Sequence, residues 1–92
     1  MCENKPFLTV YTNPSCVQCD ATKRYLNKHN TRYDVVDLST DELALAAVKD
    51  LGYRQAPVVI ARYPNGSESH WSGFQPSRLD GFIATSKRWA ND

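Results

Sequence analysis

Thr9-Val10-Tyr11-Thr12-Asn13-Pro14-Ser15-Cys16-Val17-Gln18-Cys19 is the stretch that decides how this chain folds. A β-rich apolar run ends at an Asn-Pro-Ser turn, which predicts a strand followed by a helix. Ser15 and Gln18 match a capping box, so we expect Ser15, within one residue, to be the N-cap. Both thiols then lie in the first helical turn, where unpaired N–H groups and the helix dipole favour thiolate. The pair is predicted to be a redox site.

The same cysteines have two other interpretations, a structural staple and half of a zinc site. A bridge across two intervening residues closes so small a loop that it constrains the unfolded chain little. Structural zinc needs four ligands, and besides the pair only Cys2, His29 and His70 remain. We therefore expect no metal. Cys2 is expected to have no role, the alternatives being a third redox thiol or an intermolecular bridge.

Length and composition indicate one small domain over residues 1–92. The 92 residues are 41% apolar, and eleven basic against ten acidic residues give a net charge of +1. These charges are spread along the chain, so no basic stripe indicates nucleic-acid binding and no segment resembles a membrane-surface helix. No stretch approaches the roughly 18 apolar residues of a membrane span. The start of the chain lacks the apolar core of a signal peptide, and the odd cysteine count indicates a reducing cytoplasm.

The helix that carries the cysteines is predicted to run from about Cys16 to His29. Cys19, Thr22, Leu26 and His29 are spaced along one stripe that should pack inward. Cys16 lies at the open end instead. We therefore predict that Cys16 is the exposed attacking thiol and that Cys19 is the shielded thiol that reacts second.

The remaining pattern alternates strands and helices. Further strands are predicted at residues 32–38, 58–61 and about 69–72, with a Pro64-Asn65-Gly66 turn before the last of them. A capping box at Ser39–Glu42 should open a second helix that ends at Gly52. A third helix should start at Pro76 and Ser77. The residues predicted to face inward are Ala44, Ala47, Val48 and Leu51 in the second helix, and Leu79, Phe82, Ile83 and a continuation to Trp89 in the third.

This order, β-α-β-α-β-β-α, predicts an α/β fold. A β-α-β opening requires a right-handed crossover between parallel strands, and a tight turn requires an antiparallel hairpin. A four-stranded mixed sheet with helices on both faces satisfies both requirements. His70 is expected to be a solvent-facing strand residue and His29 a cation at a helix C-terminus, neither having a partner that would make it a base or a ligand.

The element order with Cys-x-x-Cys after the first strand resembles the thioredoxin fold in its glutaredoxin-sized form. Residues 52–59 are similar to the segment that carries the cis-proline of that fold. His70-Trp71-Ser72-Gly73-Phe74-Gln75-Pro76 is similar to the Trp-Ser-Gly-Phe signature of the NrdH-redoxins, whose usual active-site tetrapeptide matches Cys-Val-Gln-Cys. The resemblance covers the chain from about Leu8 to Phe82.

The resemblance implies a function and a set of site residues. Cys16 would be the nucleophile and Cys19 the resolving thiol, while Ala56 and Pro57 would form a cis dipeptide that binds an extended substrate backbone. The turn that would contact the partner comprises Trp71, Ser72, Gly73 and Phe74. The redox-active disulfide would act without a bound metal or organic cofactor. Electrons would pass from NADPH through the flavoenzyme thioredoxin reductase to a class Ib ribonucleotide reductase, with no nucleic-acid or membrane partner, and the protein would be monomeric.

Three positions depart from the pattern of that family. Asn13 stands where a lysine is common, Gln75 where an arginine is frequent and Ser77 where an acidic residue is frequent. The first change removes a cation beside Cys16, so that helix-end electrostatics alone would favour its thiolate. The other two could alter the affinity for partners without changing the chemistry.

Two rival functions follow from the same motif. A glutaredoxin acting on glutathione or another small thiol would typically show a Cys-Pro-Tyr-Cys site and a Gly-Gly turn with an acidic residue, and this chain has neither. A redox-sensing adaptor similar to the Spx regulators would begin in the same way but contain an inserted helical lobe, for which 92 residues leave no room.

Overall fold

The computed structural model describes residues 5–90 and shows the predicted alternation of strands and helices. Strand β1 spans Phe7–Thr12, helix α1 Val17–Lys28, β2 Asp34–Asp37, α2 Glu42–Asp50, β3 Val58–Arg62, β4 Glu68–Ser72 and α3 Pro76–Ala90. The sheet order is β2-β1-β3-β4. Strands β1 and β2 are parallel, and the β1–β3 and β3–β4 pairs are antiparallel. The predicted mixed sheet is confirmed. Cys2 and the side chain of Trp89 lie outside the described part of the chain.

Helices cover both faces of this sheet, as predicted. On one face, Leu26 from α1 and Leu79 and Phe82 from α3 pack on alternate strand residues, namely Leu8, Val10, Val59, Ala61 and Trp71. On the other face, Val48 from α2 packs on Leu38, Val58 and Ile60. This alternation follows from the two-residue period of a strand, and it creates one helical layer of α1 and α3 and a second of α2 alone.

The N-cap of α1 lies within one residue of the predicted Ser15, but neither Ser15 nor Ser39 is the residue that caps its helix. Ser15 has a φ of +57°, a left-handed conformation rather than the extended one of an N-cap, and Cys16 caps α1 instead. Helix α2 is capped by Asp41, whose carboxylate accepts a hydrogen bond from the Ala44 N–H at 2.9 Å. The N–H and hydroxyl of Ser39 donate to Asp37 in the preceding turn, and these bonds hold the pKa of Asp37 below its ordinary value.

The inward stripes of α1 and α2 also differ from the prediction. His29 is the exposed C-cap of α1, so its buried stripe ends at Leu26. In α2, Ala47 and Leu51 are exposed, while Ala44 and Leu45 are half-buried beside Val48. Helix α2 has only nine residues. Its contact with the sheet is therefore made by one small group of side chains, Ala44, Leu45 and Val48. In the described part of the chain, no helix combines the length and apolarity that a membrane crossing needs.

Candidate active site

The two cysteines lie at the start of α1 and form a disulfide, with their Cα atoms 5.2 Å apart. Cys16 is extended and caps the helix, and its Sγ accepts a hydrogen bond from the Cys19 N–H at 3.1 Å. Cys19 is only 1% exposed, whereas Cys16 is half-buried. The exposures therefore match the predicted order, with Cys16 accessible and Cys19 shielded. In the reduced protein the same N–H is placed to stabilise negative charge on the Cys16 sulfur.

The loop before β3 forms the second part of the site. The peptide bond between Ala56 and Pro57 is cis, which confirms the conformation that the resemblance implied. The Pro57 carbonyl accepts a hydrogen bond from the Gly73 N–H at 2.8 Å, and the Gln55 carbonyl accepts one from the Ser72 hydroxyl at 2.9 Å. The cis-proline loop is thus hydrogen-bonded directly to the turn that follows β4.

Gln18, between the cysteines, joins that turn to α1. Its Oε1 accepts a hydrogen bond from the Phe74 N–H at 3.0 Å. Gly73 has a φ of +85°, and a Cβ at this position would lie 3.1 Å from the same Oε1. Only glycine adopts this conformation readily while leaving room for the amide. Sequence reasoning assigned Gln18 to a local capping box and missed this contact, because its partner is 56 residues away.

The aromatic residues of the turn differ in burial. Trp71 is 5% exposed and belongs to the hydrophobic core, with the Arg78 guanidinium 5.7 Å from its ring centroid. Among the described residues, its buried indole N–H has no hydrogen-bond acceptor. Phe74 is half-buried and remains accessible beside the cysteines. Trp71 therefore packs in the core beneath the turn, whereas Ser72, Gly73 and Phe74 are half-buried.

The three departures from the family pattern have different surroundings. Gln75 donates from Nε2 to the Ser72 carbonyl at 2.8 Å, so it closes the turn in place of an arginine. Asn13 and Ser77 are exposed, the former three residues before Cys16 and the latter in the first turn of α3. Within residues 5–90, no group of three or more His, Cys, Asp or Glu is arranged to hold a metal ion.

His70 is half-buried rather than solvent-facing as predicted, and it has a hydrogen-bond partner. Its Nδ1 lies 2.7 Å from the Tyr53 hydroxyl, and the two rings meet edge to face at 5.6 Å. His70 points to the α2 side of the sheet because Trp71, its neighbour on β4, points to the other side. The pair joins β4 to the loop before the cis-proline on the face opposite α1.

Tyr25 connects the turn to both helices of the α1–α3 layer. Its ring meets Phe74 edge to face at 5.8 Å, and its hydroxyl donates to the Asp80 carboxylate on α3. This hydrogen bond raises the pKa of Tyr25 above its ordinary value of 10.0, with desolvation and the carboxylate charge acting in the same direction. The raised pKa means that folding favours the protonated phenol.

The Tyr25–Asp80 bond gives a prediction for alkaline pH. Its contribution is present below about pH 10 and is lost as the pH rises through the raised pKa of the folded protein. We expect the melting temperature of the wild type to fall more between about pH 9 and pH 11 than that of Tyr25→Phe. Tyr33→Phe is the matched control, because its hydroxyl donates to the neutral amide of Asn27 at 3.0 Å. Equal alkaline losses in the wild type and Tyr25→Phe would contradict the prediction.

Fold and site together define a class of protein. A thiol pair at the start of a helix, beside a cis-proline loop in a thioredoxin-like fold, belongs to a thiol-disulfide oxidoreductase. The family model for glutaredoxin matches residues 8–62. The glutaredoxin-like protein NrdH of Escherichia coli is 36% identical over 73 residues, covering 79% of this chain and 84% of that protein. The NrdH protein of Lactococcus lactis is 31% identical over 72 residues, covering 78% and 93% respectively.

A solved structure agrees with the sequence comparisons. The chain is similar to the NrdH-redoxin of Escherichia coli with a TM-score of 0.71 and 34% identity, covering 79% of this chain and 90% of that one. The chain therefore belongs to the NrdH-redoxins, glutaredoxin-like proteins with the thioredoxin fold.

Proposed function

We propose that this protein donates electrons to a class Ib ribonucleotide reductase in the cytoplasm and is itself reduced by the NADPH-dependent flavoenzyme thioredoxin reductase. The observation that carries the proposal is the turn of residues 72–75, which is hydrogen-bonded to α1 through Gln18 and to the cis-proline loop through Pro57. This turn holds an accessible aromatic side chain beside the dithiol. The Escherichia coli relative of similar structure has a thioredoxin-like activity profile, which supports the same assignment.

The chemistry follows from the unequal exposure of the two thiols. The Cys16 thiolate attacks one sulfur of the partner disulfide, a mixed disulfide forms, and the other partner sulfur leaves as a thiolate that takes up a proton. The buried Cys19 loses its proton and attacks the Cys16 Sγ. The Cα atoms of the two cysteines are 5.2 Å apart, which allows the bond to form. The second partner sulfur leaves, and the Cys16–Cys19 disulfide forms. Two electrons and two protons pass to the partner in each cycle.

The surface around Cys16 suits a protein chain as substrate. Val17 is 79% exposed next to the nucleophile, and the turn that contacts Gln18 through the Phe74 N–H is also hydrogen-bonded to the cis-proline loop. An extended partner segment could pair with the Ala56 backbone as an added strand, with the apolar side chains providing selectivity. We propose on this basis that Ala56, Ser72, Gly73 and Phe74 form the partner-binding surface, that the buried Pro57 and Trp71 support it from within the fold, and that the protein acts as a monomer.

Glutathione fits this surface less well than a protein does. It is a small anionic peptide, so its site needs donors or cations close to the thiols. Here Asn13 takes the place of the common lysine, and the turn presents Phe74 where glutaredoxins have small residues and an acidic one. The nearest cation on α1, Lys23, is seven residues beyond Cys16, about 10 Å along the helix. A tripeptide spans only about 10 Å in total, so glutathione with its central cysteine at Cys16 would not extend as far as Lys23.

A coupled assay with two electron sources tests this proposal. NADPH oxidation is followed with the protein and either thioredoxin reductase or glutathione with glutathione reductase, first with insulin disulfides and then with class Ib ribonucleotide reductase as acceptor. We expect efficient turnover with thioredoxin reductase, including deoxyribonucleotide formation, and weak turnover with glutathione. Comparable rates with physiological glutathione would replace the assignment with that of a glutathione-dependent glutaredoxin.

A further inference from the structure

The small net charge of the chain hides a separation of charge between its two helical layers. Helices α1 and α3 together carry six basic and two acidic residues, a net formal charge of +4. Helix α2 with its N-cap Asp41 carries three acidic residues and one lysine, a net charge of −2. We define the cationic face as Lys23, Arg24, Lys28, Arg78, Lys87 and Arg88. The acidic residues of the α2 layer are Asp41, Glu42 and Asp50.

The carboxylates within the α1–α3 layer already have partners. Asp20 lies 3.7 Å from Lys23, and Asp80 accepts the hydrogen bond of Tyr25. Among the described side chains the ion pairs are this one and Arg62–Glu68, so no other member of the cationic face is in an ion pair there. All members except the half-buried Lys23 are exposed. The positive electrostatic field of these side chains therefore extends into solvent.

The cationic face shares helix α1 with the nucleophile, and its first member there, Lys23, lies about 10 Å beyond Cys16. On α1 the buried stripe is Cys19, Thr22 and Leu26, and residues 17, 24 and 28 project from the opposite side at helical spacing. Val17 follows Cys16 directly, and Lys28 lies about 17 Å beyond Val17 along the helix at 1.5 Å per residue. A partner that presents its disulfide to Cys16 would thus lie over this row.

We propose that the cationic face docks an acidic surface of the protein whose disulfide Cys16 attacks. The inference rests on the proposed function and adds the chemistry of its partner. Opposite charge around the reacting disulfide raises the rate of encounter and orients the partner, while a basic partner is repelled. The occupant is a protein rather than a nucleic acid, because the face shares helix α1 with a thiol whose substrate must contain a disulfide.

Two synthetic peptides with the same intramolecular disulfide provide the probe. One carries an arm of about eight glutamate-rich residues, which spans roughly 26 Å when extended and can reach Lys28, and the other carries lysine in place of glutamate. We expect the reduced protein to react about tenfold faster with the acidic peptide at low salt. The difference should nearly vanish at about 0.5 M salt, where screening is strong.

A matched pair of variants locates the effect on one face. Lys28→Glu and Lys49→Glu make the same change of charge, and both residues are exposed lysines in the last turn of a helix, α1 and α2 respectively. At low salt, Lys28→Glu should lower the rate with the acidic peptide about threefold, whereas Lys49→Glu should leave it unchanged. Both variants should reduce the uncharged bis(2-hydroxyethyl) disulfide at the wild-type rate, which shows that fold and thiols are intact.

Three outcomes would overturn the proposal. Equal rates with both peptides, or equal effects of the two variants, would remove the role of the cationic face while leaving the proposed function in place. A 20-base-pair DNA duplex, added at the same concentration of negative charge as the acidic peptide, would assign the face to nucleic acid if it displaced that peptide. Failure of the wild type to reduce either peptide or insulin disulfides would overturn the proposed function itself and this inference with it.

Discussion

A Cys16→Ser variant is expected to lose reduction of protein disulfides down to the background rate. Cys16 is the accessible thiol of the pair. Its sulfur accepts a hydrogen bond from the Cys19 N–H, and this bond would stabilise a thiolate. A serine hydroxyl in the same position stays protonated near neutral pH and does not attack disulfides. The loss should be complete with thioredoxin reductase and with a chemical reductant alike, because both routes pass through the same sulfur. Insulin reduction followed by turbidity measures it.

The matched variant at the second thiol should fail at a later step. Cys19→Ser retains the attacking sulfur, so it should form one mixed disulfide per molecule with the partner and then stop. Mass spectrometry of the trapped adduct would show it, and Cys19→Ala controls for the hydroxyl introduced at a site that is 1% exposed. Preferential alkylation of Cys19 rather than Cys16 in the reduced wild type at mildly acidic pH would reverse the two roles.

The fold was predictable because its signals are local. Apolar periodicity and turn residues identify each element, and the handedness rule then restricts how β1, α1 and β2 can connect. The cysteines were identifiable for the same reason, since the strand, turn and helix around them are contiguous in sequence. The cis bond before Pro57 had no such local signal, and only the resemblance to a known family indicated it.

Contacts that join distant segments were not predictable from spacing. Gln18 fits a capping box by pattern, yet the left-handed Ser15 removes the cap and leaves the amide to bind Phe74. His70 appeared solvent-facing because nothing in the sequence places the Tyr53 hydroxyl beside it. Both differences arise when a polar side chain finds a partner that only the folded chain brings close.

The charge distribution depends partly on sequence order and partly on sheet topology. Residues 23–32 include four basic and no acidic residues, and residues 34–42 include four acidic and no basic residues, so like charges already group along part of the sequence. The cations collect on one side because α1 and α3 pack on the same sheet face while α2 packs on the other. Sheet topology therefore brings the basic residues of α3 to the same side as those of α1, although the two helices are distant in sequence.

Truncating the core beneath the active-site helix should have the largest effect on stability. Leu26 is fully buried on the same stripe of α1 as Cys19, against Leu8, Val10 and Leu79. Leu26→Ala removes three buried carbon atoms and leaves a cavity, so we expect the free energy of unfolding to fall by about 2–5 kcal/mol. For a domain of this size each kcal/mol lowers the melting temperature by roughly 4–8 °C. Chemical and thermal unfolding of the reduced protein measure the loss.

Leu43→Ala is the matched control, because Leu43 is also helical but is 86% exposed, and its truncation should change stability by less than about 0.5 kcal/mol. The fraction of the Leu26→Ala protein that stays folded should still reduce disulfides at low temperature. The cavity lies seven residues beyond Cys19, about two helical turns from the thiols. Similar losses in both variants would mean that the α1–sheet interface is not the main hydrophobic support of the active site. A stable Leu26→Ala protein without activity would instead show that packing at this depth positions the thiols directly.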